Sequence, residues 1–295
     1  MIKTFDKWAR NAISMRLVVG ILAAFLLLLV GIGAGSDKKS QVKITPASLT
    51  PQRKTTPHGP FGSAPEVIVN PDRITELAKT DHIALLKWSL EAYQIRVIDY
   101  TTTFNKQERI KGKLKKTEQI SVMFKDIPFS VFMNWQKNAG SANKLLYVEG
   151  SNNNKMIVHP TGLFSWIKSV KKDPCGKDAQ KASRRTCDQF GFRRSMKSLL
   201  EVYELAQKRG DLKIIYRGPT TIDGRPCIAM ERILPPDKGY PAARMIMEFD
   251  QEYLLPVSIT HYDWQNNLLG RYVFLNLKFN NGLTNARFLP KAHGM

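Results

Sequence analysis

From Val97 onward apolar residues recur at every second position, and that period decides what most of this chain can fold into. The stretch "EQISVMF" puts Ile120, Val122 and Phe124 on one side of an extended backbone, and "FSVFMNW" does the same for Phe129, Val131, Met133 and Trp135. "NKLLYVEG" and "NKMIVHP" come next at short spacing. A parallel connection needs a crossover of a dozen or more residues, so strands this close in sequence pair antiparallel. The pattern resumes at "LKIIYRGPTTI", "CIAMERIL", "RMIMEFD", "LPVSITHYDW" and "LLGRYVFLNLKFN", with turns near "DGRP", "DQEY" and "WQNN". The first stretch, "DYTTTFNKQERIKGKL", sets Tyr100, Thr102 and Phe104 on one face and Thr101, Thr103 and Asn105 on the other, ahead of a basic turn at Lys111, Gly112 and Lys113.

Two segments keep a helical period instead. Asn70 can cap a helix that starts at Pro71, Asp81 offers a second cap, and Ile83, Leu86, Leu90 and Tyr93 then fall on one face. In "FRRSMKSLLEVYELAQKRG" the apolar stripe is Phe192, Met196, Leu199, Leu200, Tyr203 and Ala206, and Lys208, Arg209 and Gly210 make a C-terminal end. The fold class is therefore α+β, with one antiparallel sheet of about 10–11 strands and helices at its start and middle.

The N-terminus predicts the compartment. Lys3, Lys7, Arg10 and Arg16 precede 19 residues, 17–35, without a charge, which as a helix span about 28 Å, close to the hydrocarbon thickness of a bilayer. Residues 1–35 read as a signal-anchor, that is one transmembrane helix, or as a signal peptide cleaved before Ser36; either one exports the remainder of the chain. Residues 36–70, with Pro46, Pro51, Pro57, Pro60 and Pro65, read as a flexible Pro-rich linker, and 71–290 as the folded envelope domain. The expected place is the inner membrane, single-pass, with the domain in the periplasm or another extracytoplasmic space; the alternative is a protein released into the periplasm.

Across 295 residues, 43% hydrophobic content is enough for a core and excludes disorder throughout. The net charge of +20 favours anionic surfaces. It concentrates between residues 168 and 197, where ten basic residues meet three acidic ones, and Lys171, Lys172, Lys181, Arg184, Arg185, Arg193 and Arg194 are the candidates for contact with lipid headgroups or an anionic envelope polymer. Nucleic acid is not expected, because export separates the domain from it and no recognition motif accompanies the charge.

Catalytic signals are missing. The sequence has no GxSxG, GxxxxGK[ST], HExxH or GxGxxG, and His58, His82, His159, His261 and His293 are scattered. His261 and Asp263 read as an ordinary surface pair. Glu108 and Glu118, surrounded by Lys106, Arg109, Lys113, Lys115 and Lys116, read as a cross-strand ion-pair lattice rather than a catalytic dyad. No enzyme, cofactor or metal site is expected. Cys175 and Cys187 close a short loop and form the disulfide candidate in an oxidising compartment, the alternative being two unpaired thiols, while Cys227 reads as a small buried residue.

The blocks "DYTTTFNKQERIKGKL", "PFSVFMNW", "LLYVEG", "DPCGKDAQKASRRT", "RPCIAMERI" and "YLLPVSITHYDWQNNLLGRYVFLNLKFNNGLTNARF" resemble, in order and spacing across roughly residues 86–288, the bacterial envelope family Domain of Unknown Function 1571. That resemblance implies a lipoprotein-carrier-like fold: a curved, open half-barrel sheet wrapping helices around an apolar cavity. It supplies no catalytic residues. The anchor-like N-terminus and the basic loop depart from the carriers.

The expected function is a membrane-tethered binding module that holds lipid or an acylated ligand against the concave face of the sheet. Its cavity candidates are Tyr100, Phe104, Phe129, Val131, Met133, Trp135, Met245, Met247 and Phe249. The alternative is a structural or interaction protein of the bacterial cell envelope with no small-molecule ligand. The expected partners are the bacterial membrane, a lipid or acylated ligand and an anionic envelope polymer.

Overall fold

The computed structural model describes residues 59–295. The uncharged run at 17–35 and the first part of the linker lie outside the described residues. The first helix, α1 (Pro71–Thr80), is capped as the sequence predicts: the Asn70 side chain accepts from the backbone N–H groups of Asp72 and Arg73. Asp81 ends α1 and caps α2 (His82–Arg96), accepting from the Ala84 N–H at 2.9 Å.

The strands then form one sheet. Its members are β1 (Asp99–Ile110), β2 (Lys113–Leu114), β3 (Glu118–Lys125), β4 (Ser130–Lys137), β5 (Ala142–Val148), β6 (Met156–Pro160) and β7 (Val170–Lys172) in the first half. After α3 (Lys177–Ala182) and α4 (Phe192–Lys208) come β8 (Lys213–Ile222), β9 (Arg225–Ile233), β10 (Arg244–Asp250), β11 (Leu255–Tyr262) and β12 (Leu268–Phe279). The order is β7-β6-β5-β4-β3-β1-β12-β11-β10-β9-β8, every neighbour antiparallel, with β2 folded back on β1. Two meanders thus join where the first and last strands pair, Phe104 opposite Phe274. The sheet is open and curved, and β7 and β8 are its edges.

Twelve strands exceed the expected ten or eleven because β2 has two residues and β7 three, too few to show a period. The helix α3 is likewise new, inside a stretch that reads as a charged loop.

The core lies on the concave face. The helix α4 buries Phe192, Met196, Leu199, Leu200, Val202, Tyr203 and Ala206, and α2 buries Ile83, Leu85, Leu86, Ala92 and Tyr93. Each large apolar side chain so buried stabilises by roughly 1.5–3 kcal/mol. Gly191 makes the entry to α4 fit: its φ is +95°, and a Cβ there would lie 2.7 Å from the Phe124 ring. A second, smaller core sits on the convex face, where Phe132, Leu146 and Ile157 are covered by Phe288 and the His293 ring stacks on Phe132 at 3.5 Å.

Candidate functional site

Strand β1 shows how the concave face divides. Its inward residues are Tyr100, Thr102 and Phe104, then Lys106, Glu108 and Ile110. Near its start Tyr100 is sealed, stacked on Phe124 at 4.8 Å and packed against Phe192 of α4. Near its end α4 has passed, and the face opens into a cavity of about 1160 Å³. Small-molecule sites commonly occupy roughly 300–1,000 Å³, so this one has room for a large ligand.

Strand alternation builds the apolar wall, with Phe104 on β1, Ile120 on β3, Met133 and Trp135 on β4, Leu145 on β5 and Met156 and Val158 on β6. Ile259 and His261 of β11 and Tyr272 and Phe274 of β12 continue it, and residues 178–190 with Leu199 complete the enclosure. Phe190 closes the inner end, edge-on to Phe104 at 5.2 Å and near Phe124 and Phe274.

One polar cluster sits in this wall. The buried Glu108 carboxylate accepts from the Tyr272 hydroxyl at 2.7 Å, the Ser183 hydroxyl at 2.9 Å and the Arg184 N–H at 3.2 Å. Lys106 bridges it to Glu118, 3.6 and 3.2 Å away, and Glu118 also accepts from the Trp135 indole at 2.5 Å. Gly270, opposite Glu108 on β12, makes the Tyr272 contact available, since a Cβ there would lie 2.8 Å from the Tyr272 hydroxyl oxygen. Burial first, then the nearby Glu108 charge, pushes the Tyr272 phenol up, so it stays a neutral donor. Of the ion-pair lattice read from the sequence, the Lys106 part is formed, while Lys113, Lys115 and Lys116 make no ion pair among the described residues. Arg109 turns instead to the Leu268 and Gly112 carbonyls.

The cavity is electropositive. Eight cationic side chains line it, Lys106, Lys111, Lys113, Lys115, Lys116, Lys172, Lys181 and Arg185, against the carboxylates Glu108, Glu118 and Asp178. His261 does not belong to a surface pair as expected: β11 turns its ring into the cavity, while Asp263 caps the next turn through the Gln265 and Asn267 N–H groups. Burial lowers the His261 pKa well below the usual value, with Arg185, Arg232 and Arg184 adding to it, so the ring is neutral. Arg232 stands two strands away in the same row, across Met245, fully buried with its guanidinium 4.8 Å from the Tyr203 ring centroid.

Of the sequence candidates for the cavity, Phe104, Met133 and Trp135 line it. Tyr100, Phe129, Val131, Met245, Met247 and Phe249 do not: they share the concave face but lie in the packed core, where α2 and α4 fill the space. Phe190, Leu145, Met156 and Val158 line it as well, outside the set expected from the sequence. The "LLYV" and "MIV" alternation could have supplied the last three, but nothing local marks Phe190.

The basic candidates do not form one patch. Lys172 pairs with Asp178 at 2.8 Å, Arg193 with Asp126 at 2.8 Å and Arg194 with Glu149 at 2.9 Å. Lys171 and Lys181 are exposed, the Arg184 backbone is tied to Glu108, and Arg185 faces the cavity.

The expected Cys175–Cys187 pairing is not formed; Cys175, Cys187 and Cys227 are all free thiols. Cys175 donates to the Asp188 carboxylate at 3.2 Å, while Cys187 turns inward to the Met156 sulfur at 3.8 Å. Burial and the Asp188 hydrogen bond push the Cys175 thiol up to about 12, which disfavours the thiolate that disulfide exchange needs. Cys227 is buried, as its sequence context suggests. Among the described residues no group of three or more His, Cys, Asp or Glu side chains is placed to hold a metal ion.

The architecture is therefore an open antiparallel sheet whose concave face is part packed core and part cavity. The family described as "Protein of unknown function (DUF1571)" matches residues 97–293, and the chain belongs to it. No curated protein matches. Similar solved structures include a DUF1329 family protein from Desulfovibrio piger, at 15% identity over 71% of this chain and 97% of that one, with a TM-score of 0.35. MucB is similar at 16% identity over 70% of this chain and 62% of its own, with a TM-score of 0.41. The Mycobacterium tuberculosis lipoprotein LppX is similar at 14% identity over 68% and 96%, with a TM-score of 0.38.

Proposed function

We propose that this protein is a membrane-tethered, extracytoplasmic binding module that holds a lipid or an acylated ligand in the cavity at the open end of its sheet. The observation that carries the reading is the cavity of about 1160 Å³, with an apolar wall and a ring of cationic side chains. A long apolar chain gains by leaving water along Phe104, Met133, Leu145 and Val158, and the thioethers of Met133 and Met156 adapt to an irregular occupant. The basic run and uncharged segment at residues 1–35 support a tether in the inner membrane, with the domain on the periplasmic side.

The test compares organic extracts of the purified full chain with those of Met133→Lys by mass spectrometry. A lipid species present in stoichiometric amount with the wild type and lost from the variant supports the module. Equal lipid content in two folded proteins rejects it in favour of a structural or interaction protein of the envelope.

A further inference from the structure

The open end of the half-barrel has a lip made of three loops. All three leave the same end of the strands: residues 111–117 between β1 and β3, residues 138–141 between β4 and β5, and residues 161–169 between β6 and β7. Side chains and backbone tie them together. Asn138 donates to the Thr117 carbonyl at 2.7 Å, and Thr161 donates to the Gly140 carbonyl through its hydroxyl at 2.7 Å and to the Ser141 carbonyl through its N–H at 3.1 Å. Members of the first two loops line the cavity, and Pro160 and Val170, which bracket the third, do so as well. The lip is thus the rim of the cavity itself.

It combines exposed apolar side chains with basic ones. Leu163 is 91% exposed, Trp166 78%, Phe164 61% and Leu114 42%, so large apolar side chains stand in water at the rim, three of them within one turn of chain. Water is a poor environment for such a cluster, and scattered single exposures do not explain it. Around them lie Lys111, Lys113, Lys115, Lys116, Lys137 and Lys168, with no acidic residue in residues 111–117, 137–141 or 161–169. None of these six has an ion-pair partner among the described residues. This contrasts with the basic stretch at 172–194, where neighbouring carboxylates neutralise Lys172, Arg193 and Arg194.

We propose that this lip is a membrane-docking surface, with Leu114, Leu163, Phe164 and Trp166 inserted at the headgroup boundary of an anionic bilayer and the six lysines set among its phosphates. A tryptophan flanked by leucine, phenylalanine and lysine suits that boundary, where one end of the side chain is apolar and the other wet. The unopposed positive charge selects anionic over zwitterionic lipid. Docked in this way, the mouth of the cavity faces the bilayer, so an apolar chain passes between the two without crossing water. The docking itself does not depend on whether the cavity holds a ligand.

The test uses the full chain reconstituted into vesicles containing brominated lipid, which quenches tryptophans that enter the bilayer. The Trp166→Ala variant isolates the Trp166 signal from the other four tryptophans, and its circular dichroism checks the fold. The expected result is quenching of Trp166 on phosphatidylglycerol vesicles and little on phosphatidylcholine. In Lys115→Glu/Lys116→Glu the docked fraction on phosphatidylglycerol falls by about tenfold or more, since each basic residue near an anionic surface contributes on the order of 1 kcal/mol. Equal quenching in the two lipids overturns the proposal. So does an unquenched Trp166 on phosphatidylglycerol, the outcome expected if the lip serves a protein partner instead.

Discussion

Met133 and Met247 are both methionines on inward positions of β-strands, both buried, and they belong to two different regions of the molecule. Met247 on β10 is 0% exposed in the middle of the packed core, whereas Met133 on β4 is 7% exposed and faces the cavity. The strands alternate in the same way, so alternation does not make the difference. What fills the space above each residue does. Met247 shares a register row with Ile259, Tyr272 and Lys106, so the division runs across the sheet. The helix α1 packs on β8 and β9 and α4 sets Tyr203 against Arg232 of β9, whereas the cavity lies over β3 to β6. The comparison teaches that one sheet face can serve as packed core over one group of strands and as cavity wall over another.

The sharpest way to break this comparison is to put the same charge into both regions. Met247→Lys buries an unpaired ammonium in close-packed surroundings, and a loss of roughly 3–5 kcal/mol is expected, enough to remove much of a typical domain's stability. Its far-ultraviolet circular dichroism and thermal midpoint should collapse. A Met247→Lys variant as stable as the wild type would show that its surroundings are not close-packed.

Acid should act next, and on the helix-covered region first. His82 is fully buried, its Nε2–H donating to the Ala78 carbonyl at 2.8 Å and its Nδ1 placed to accept from the Tyr203 hydroxyl at 3.2 Å, an arrangement the neutral ring satisfies. Burial lowers its pKa to about 4. The unfolded chain therefore takes up a proton that the folded chain refuses. The resulting stability is present in full above about pH 6.5 and is lost as pH falls toward 4, by about 3 kcal/mol at most. His261 contributes with the same sign. Thermal midpoints across this range should fall, and His82→Gln should flatten part of the slope.

A smaller effect is expected in the cavity wall. Gly270→Ala sets a Cβ 2.8 Å from the Tyr272 hydroxyl oxygen and displaces it from Glu108. The cost should be about 1–3 kcal/mol, the range for a buried hydrogen bond left unmade. A chemical-denaturation midpoint unchanged from wild type would show that the Tyr272–Glu108 bond is not holding the wall.

The smallest change in stability belongs to Met133→Lys, expected within about 1 kcal/mol, because its ammonium can reach the water and carboxylates of the cavity. Retained lipid should nevertheless disappear from this variant. A collapse of Met133→Lys matching that of Met247→Lys would erase the distinction between the two regions.

Local chemistry in the sequence already determined the strands of both meanders, the caps Asn70 and Asp81, and the buried stripe of α4 from Phe192 to Ala206. Period, capping and turn residues act within a few positions of one another, so they are written in adjacent letters. The Glu108–Lys106–Glu118 lattice was legible for the same reason, since the hairpin sets Lys106 opposite Glu118. The tertiary structure alone decided which inward residues line the cavity, because that depends on which strands the helices, distant in sequence, cover. It turned His261 inward, left Cys175 and Cys187 as free thiols with separate partners, and brought Phe190 to the cavity's inner end. It also gathered Leu114 and Trp166 onto one lip: 52 residues separate them in the chain, and only the return of β3 through β6 to the same end of the sheet sets their loops side by side. Such contacts arise from sheet order and helix length, which no short window of sequence encodes.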